Sequence, residues 1–371
     1  MFEYFPGNYM WSGAVTLSMM AGGELGQIHR AISPLRNTEP NPEAWASAWD
    51  GAGALQVEFA EKERSLGMRG AATARFLRAS NYYLTGERQT PPGPAKSNSY
   101  ERGLAAFASA VELMDRPLER VEVPSPDGIL PGWLIPAHGV TGPAPVVVFY
   151  NGFDVTKELL YGFIREEFAD RGIACLVIDT PGTGEPLRLR GVPSRPDYEV
   201  PTTAIVDHLV TRPDIDPARI GLLGISLGGY YAPRGASFEP RIKAVAGWGG
   251  VWDYGAVWQR RWATASKSVS VPFWQLPWVM GTDTMEQALE KVRDFALADA
   301  LPRLNQPLLI VHGADDKAIP LSDARQAFEA AGSGDKQLIV LDGANGGAEH
   351  CNTDDPDPAR QAIADWFVGR L

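Results

Sequence analysis

From Leu118 to Leu371 the chain alternates short apolar runs with helix-compatible runs, and this alternation restricts the fold more than any other feature. The apolar runs fall at 118–124, 129–136, 145–150, 173–179, 219–225, 242–248, 307–311 and 337–341. Helical patterns separate them at 157–171, 202–209, 230–238, 322–331 and 358–371. Strands that alternate with helices build βαβ units and therefore a doubly wound, mostly parallel sheet. The turn signal Pro126-Asp127-Gly128 separates the first two runs. Active sites of such sheets lie beyond the carboxyl ends of the strands.

One strand end carries chemistry. Ile220 to Leu223 reads as a buried strand and runs into Gly224-Ile225-Ser226-Leu227-Gly228, a G-x-S-x-G sequence, with a helix from Tyr230 to follow. Strand, tight turn and helix is the context in which such a serine becomes an exposed nucleophile. Gly224 and Gly228 keep side chains out of the strained turn. The next helix turns its free N–H groups toward the serine, where they favour negative charge.

A serine needs a base, and the base needs an orienting carboxylate. The strand 307–311 leads into His312-Gly313-Ala314-Asp315-Asp316, followed by Ile319-Pro320. Asp316 is the expected acid, with Asp315 as the alternative, and His312 is expected to pack at the strand end. His350 sits on a glycine-rich loop between the last strand and the last helix and is the expected base; its neighbour Cys351 reads as packing. The order Ser226, Asp316, His350 is that of the α/β-hydrolase fold. An oxyanion hole is expected from the N–H of Leu227 and, on the loop after an early strand, that of Phe153. The loop 179–184 lacks the GK[ST] ending of a phosphate loop and reads as a plain turn with no helix starting there.

Residues 41–115 contain no strand pattern. Asn41-Pro42-Glu43 provides a cap, a proline at the first helical position and an acid in the first turn. Further helices are expected over about 71–85 and 100–114. Arg75 and Arg78 read as surface side chains ahead of the alternative that an arginine beside Ser80, Asn81 and two tyrosines orients a substrate, with Tyr82 a candidate substrate contact. The aromatic-rich segment before residue 40 is expected to pack on a partner subunit or on the mouth of the site. The expected division is a helical domain of its own or a cap at 1–116, and a catalytic domain at 117–371 with an insertion at about 251–300. Six of the eleven tryptophans lie between Trp248 and Trp278. The insertion reads equally as core or as the wall of an aromatic pocket. Trp252, Asp253, Tyr254 and Trp258 are its candidate substrate contacts, with Arg260 and Arg261 as further polar ones.

Composition closes several other routes. The formal charge of −11 gives no basic footprint for nucleic acid. The five histidines and two cysteines form no metal-binding spacing, so no metal and no cofactor are expected. A lone distant cysteine pair suits a reducing, cytoplasmic setting. No apolar run is long enough to span a membrane, and the N-terminus lacks the basic start of a signal peptide.

At these residues the chain resembles α/β-hydrolases of the 2,6-dihydroxypseudooxynicotine hydrolase type and the fungal enzymes that shorten polyketide pigment precursors. The likeness covers roughly residues 40–371 and is carried by Ala79-Ser80-Asn81-Tyr82-Tyr83, by 151–158, by 179–185, by Ser226-Leu227-Gly228-Gly229, by Trp248-Gly249-Gly250 and by His350-Cys351-Asn352. The resemblance implies a helical N-terminal cap, a homodimer, and hydrolysis of a carbon–carbon bond next to a ketone in an aromatic or polyketide-like substrate. The triad itself suits an esterase or lactonase equally, or an acyl transferase or cyclase.

Overall fold

The structure is a computed structural model and describes residues 2–164, 166–264 and 271–371. Five helices precede the first strand: α1 (Tyr9–Met20), α2 (Leu25–Ile32), α3 (Pro42–Ser65), α4 (Arg69–Arg88) and α5 (Pro94–Leu113). Asn41 caps α3 as its sequence requires, its Oδ1 accepting from the N–H groups of Glu43 and Ala44 at 2.9 and 3.0 Å. Both α4 and α5 begin earlier than their apolar pattern suggests, α5 at the proline of a Gly93-Pro94 start. The aromatic N-terminus is helical and packed: Trp11 stacks on Trp45 at 4.7 Å, in a cluster with Phe5, Trp49 and Tyr82. Arg75 pairs with Glu63 and Arg78 with Glu24, the surface role expected of them.

An eight-stranded sheet follows. Its strands are β1 (Glu119–Ser125), β2 (Gly128–Ile135), β3 (Ala144–Tyr150), β4 (Ala174–Ile178), β5 (Ile215–Ile225), β6 (Ile242–Trp248), β7 (Leu308–Gly313) and β8 (Lys336–Leu341). Their spatial order is β1-β2-β4-β3-β5-β6-β7-β8. β1 and β2 form the antiparallel hairpin, β2 also runs antiparallel to β4, and the remaining pairs are parallel. Every residue of β3 and β4 is buried, so these strands are apolar throughout rather than alternating.

Between the strands lie α6 (Lys157–Ile164), α7 (Gly184–Arg190), α8 (Glu199–Leu209) and α9 (Gly228–Phe238). The insertion holds α10 (Tyr254–Thr264), α11 (Gln275–Met280) and α12 (Met285–Lys291), and α13 (Leu321–Ala330) and α14 (Asp357–Val368) complete the chain. Two local expectations are corrected. A helix does start at Gly184, because Asp179 accepts from the N–H of Glu185 at 3.1 Å and so binds the open first turn. The helix expected over 157–171 ends at Ile164, and the chain resumes as a single 3-10 turn at Ala169–Arg171. The register places Tyr150 beside Gly224, Gly224 beside Gly247 and Trp248 beside Val311, so β3, β5, β6 and β7 end at one level.

Candidate active site

The turn after β5 is as tight as its glycines imply. Ser226 has φ of 58°, in the left-handed region, and its N–H donates to Trp248 O at 2.8 Å. A Cβ on Gly224 would lie 1.9 Å from Gly228 O, so no other residue fits there. A Cβ on Gly152 would meet Ser226 Cβ at 2.8 Å, which shows how closely the loop after β3 crosses the serine.

The three residues expected to act together do meet. Ser226 Oγ lies 2.8 Å from His350 Nε2, and His350 Nδ1 lies 2.7 Å from Asp316 Oδ2. Asp316 is buried, and its Oδ1 accepts from the N–H groups of Ala318 and Ile319, both at 2.8 Å. Those two bonds aim Oδ2 at the imidazole, while the side chain of Asp315 is exposed. With Asp316 accepting the Nδ1 proton, Nε2 is left to accept from the serine hydroxyl. Burial by itself would lower the His350 pKa. The charges and hydrogen bonds of Asp316 and Cys351 outweigh it and bring the value up to about 10. Asp316, which burial would raise, is held below its ordinary value by His350.

His312 is structural. Its Nδ1 accepts from Gly250 N–H at 3.0 Å and its Nε2 donates to Ile319 O at 3.0 Å, so it ties the loop after β6 to the loop after β7. Cys351 is buried, with Sγ 3.5 Å from both Trp248 O and His350 Nε2. The N–H groups of Leu227 and Phe153 donate to no protein acceptor among the described residues. Both residues are buried, Leu227 at the start of α9 and Phe153 on the loop after β3.

That loop is held by buried charge. Asp179, at the end of β4, accepts from Asn151 Nδ2 at 2.9 Å, Lys157 N–H at 2.8 Å and Lys157 Nζ at 3.0 Å. One residue beyond Phe153, Asp154 pairs with Arg188 at 2.6 Å and accepts from Gln275 Nε2 at 2.8 Å. Arg188 and Lys96 both reach Glu87, at 2.8 and 2.7 Å. The network joins α4, α5, α7 and the insertion to the loop beside Ser226. Its members are far apart in sequence, and no motif announces them.

A largely apolar cavity opens over Ser226 and His350. Its walls include Leu17, Phe153, Val155, Phe163, Ile225, Tyr254 and Ile319, with Tyr9, Arg88 and Arg261 as polar members. Of the five aromatic and acidic substrate contacts expected from sequence, Tyr254 alone lines it. Trp258 is fully buried against Phe153 and Phe273, and Trp252 packs against the same core. Asp253 caps α10, its Oδ1 accepting from Ala256 N–H at 2.8 Å. Tyr82 bonds Gln27 and Glu24 within the N-terminal helices, and Arg260 is exposed. The insertion thus acts mainly as core, because α10 turns Trp258 inward, leaves Trp262 at the surface and presents Tyr254 and Arg261 to the cavity. Tyr9, Gly13 and Leu17 come from α1, so the N-terminal segment does reach the mouth of the site.

Among the described residues one group has metal-ligating atoms close together, His138, Glu166 and Asp170. It lies on the surface, away from the cavity, and Arg116 occupies His138 at 2.8 Å. No described helix is long and apolar enough to cross a membrane.

A mostly parallel sheet of this order, with a left-handed serine after β5 and acid and histidine on the loops after β7 and β8, defines an α/β-hydrolase. The chain belongs to the FrsA-like esterase family, which matches residues 44–254; the prolyl oligopeptidase family also matches, over residues 163–367. Among curated proteins it is similar to Hydrolase LUC6 of Fusarium sp, 28% identical over 94% of this chain and 93% of the relative. It is also 28% identical to the 20-hydroxy-prefusarin hydrolase FUS2 of Gibberella moniliformis, over 88% of this chain and 87% of that one. Among solved structures, that of a 2,6-dihydroxy-pseudo-oxynicotine hydrolase matches with a TM-score of 0.82 and 26% identity, covering 96% of this chain and 95% of the other. The type of α/β-hydrolase suggested by the sequence motifs is therefore the type the chain is similar to along nearly its whole length.

Proposed function

We propose that this α/β-hydrolase is a serine hydrolase that cleaves a carbon–carbon bond next to a ketone, in an aromatic or polyketide-like substrate, through an acyl-enzyme. The observation that carries the serine chemistry is the relay from Ser226 to His350 to Asp316, at 2.8 and 2.7 Å, on the floor of an apolar cavity. In this reading His350 takes the Ser226 proton as Oγ bonds the substrate carbonyl carbon. The oxyanion is received by the N–H groups of Leu227 and Phe153. The carbon–carbon bond then breaks, its electron pair leaving as an enolate that His350 protonates. Water, deprotonated by His350, attacks the acyl-enzyme and releases a carboxylic acid and free Ser226. Carbon–carbon cleavage is favoured by the likeness to the 2,6-dihydroxy-pseudo-oxynicotine hydrolase, and a homodimer in a cytoplasmic setting belongs to the same reading. Residues 1–116 would serve as its cap.

A second reading, ester hydrolysis, is favoured by the FrsA-like esterase match. Purified protein and Ser226→Ala, offered an aryl ester and an aryl β-diketone with products read by mass, separate the two. The expected outcome is diketone cleavage by wild type, with a loss of about 10⁴-fold or more in Ser226→Ala. Ester cleavage alone would leave the serine assignment standing and overturn the carbon–carbon one. Equal activity of Ser226→Ala on both would remove the serine assignment.

A further inference from the structure

Two arginines in the cavity wall have no direct ion pair among the described residues. Arg88, the last residue of α4, is 8% exposed, and Arg261, in the last turn of α10, is 6% exposed. Both line the same cavity as Ser226 and His350. Arg88 makes one long contact, 3.5 Å from a terminal nitrogen to Phe153 O, and its Nε has no partner among the described residues. Arg261 donates to Ala318 O at 2.7 Å and lies over the Trp258 ring at 5.2 Å, and its Nε is likewise unpartnered.

The nearby carboxylates are already taken. Glu87 serves Arg188 and Lys96, and Asp154 serves Arg188 and Gln275. In this buried group the three cations Arg88, Arg188 and Lys96 face the two carboxylates Glu87 and Asp154, and Arg88 is the one without a direct ion pair. Arg261 forms no ion pair with any described carboxylate either. An unpaired buried charge is strongly unfavourable, so natural proteins rarely keep one without a use. Burial in fact pulls the Arg88 pKa below the ordinary arginine value, which nearby Asp154 only partly offsets. Surplus guanidinium beside a nucleophilic serine, in walls that are otherwise mostly apolar, is a receptor for an anionic oxygen.

We propose that Arg88 and Arg261 form an anion subsite of the cavity, so that the substrate is an apolar acyl compound bearing a negatively charged oxygen, either a carboxylate or the ionised enol of a 1,3-dicarbonyl. The proposal rests on the serine-hydrolase reading for its rate measurements, and its binding measurement stands apart from that reading. Guanidinium groups at this position discriminate by charge, because a neutral ligand of the same shape leaves them unpaired in the closed cavity.

The test compares two esters of nearly equal shape, the p-nitrophenyl monoester of glutarate and p-nitrophenyl pentanoate. Wild type is expected to favour the carboxylate ester by at least about tenfold in kcat/KM, the value of a charged hydrogen bond. In Arg88→Gln and in Arg261→Gln that preference is expected to fall by about tenfold. The preference is a ratio within one enzyme, so a general loss of activity cancels. Calorimetry with wild type adds a measurement that needs no turnover. It compares glutarate, ionised 2-acetyl-1,3-cyclohexanedione and neutral 2-acetylcyclohexanone. Tighter binding of glutarate identifies the carboxylate, and tighter binding of the triketone identifies the enolate. Wild-type indifference to charge in the calorimetry overturns the proposal, as does an ester preference unaltered in both variants. Should Arg88→Gln fail to fold, Arg261→Gln and the wild-type comparisons still decide. Absence of turnover on every ester together with charge-selective binding would remove the ester-hydrolysis reading and leave the subsite in place.

Discussion

Ser226 is held in a left-handed conformation that costs a non-glycine residue of order 1–3 kcal/mol, and the glycines around it make that conformation possible. Gly224 is the most constrained of them, since a methyl group there would overlap Gly228 O at 1.9 Å. Gly224→Ala is expected to destabilise the fold by about 3 kcal/mol or more, read by denaturant unfolding; a change below about 1 kcal/mol would mean the turn can open. His350 makes a second residue-scale prediction. With its pKa brought up to about 10, the unprotonated base form grows as pH rises, so kcat/KM is expected to climb from pH 7 toward about 10. Stability moves the other way. A folded pKa above the ordinary histidine value of about 6.5 contributes stability fully present below that pH, and the contribution is lost as pH rises through about 10. Asp316→Asn should weaken both trends, and a profile already flat from pH 7 would show that His350 titrates without the help of Asp316.

At the scale of elements, end signals decided more than periodicity did. α3 begins where Asn41-Pro42-Glu43 places it, and Asn41→Ala is expected to cost about 1 kcal/mol, with a fall in Tm of about 1–2 °C for a chain of this length. An unchanged Tm would mean that packing on α4, rather than the cap, sets where α3 starts. α7 begins at Gly184 through a carboxylate that lies five residues upstream, outside the reach of a reading based on capping residues next to the helix. In the insertion, tryptophan content left core and pocket wall as equal readings, and the rotation of α10 about its axis sends Trp258 into the core and Tyr254 and Arg261 to the cavity. Trp258 is received there by Phe153 and Phe273, which lie outside α10.

The whole molecule closes its cavity with its most distant part. Tyr9, Gly13 and Leu17 wall the space over a serine more than two hundred residues away, and Tyr9 reaches Glu349 at 3.2 Å. Removal of residues 1–22 takes away Trp11, a buried aromatic of the kind worth about 3–5 kcal/mol, and uncovers Trp45 and Trp49. The shortened protein is expected to show red-shifted tryptophan emission and a loss of hydrolysis of at least about tenfold. Retained activity with unshifted emission would show that α1 is dispensable to the wall. The sequence by itself determined the sheet and the turn at Ser226 and pointed to Asp316 and His350 as the residues beside it, because each depends on local spacing and on the order of strand ends. The tertiary structure alone decided which side chains face the cavity and how charge is balanced around it. Arg88, Arg188, Glu87 and Asp154 have no common motif, and burial in one low-dielectric volume is what makes their pairing, and the arginine left over, consequential.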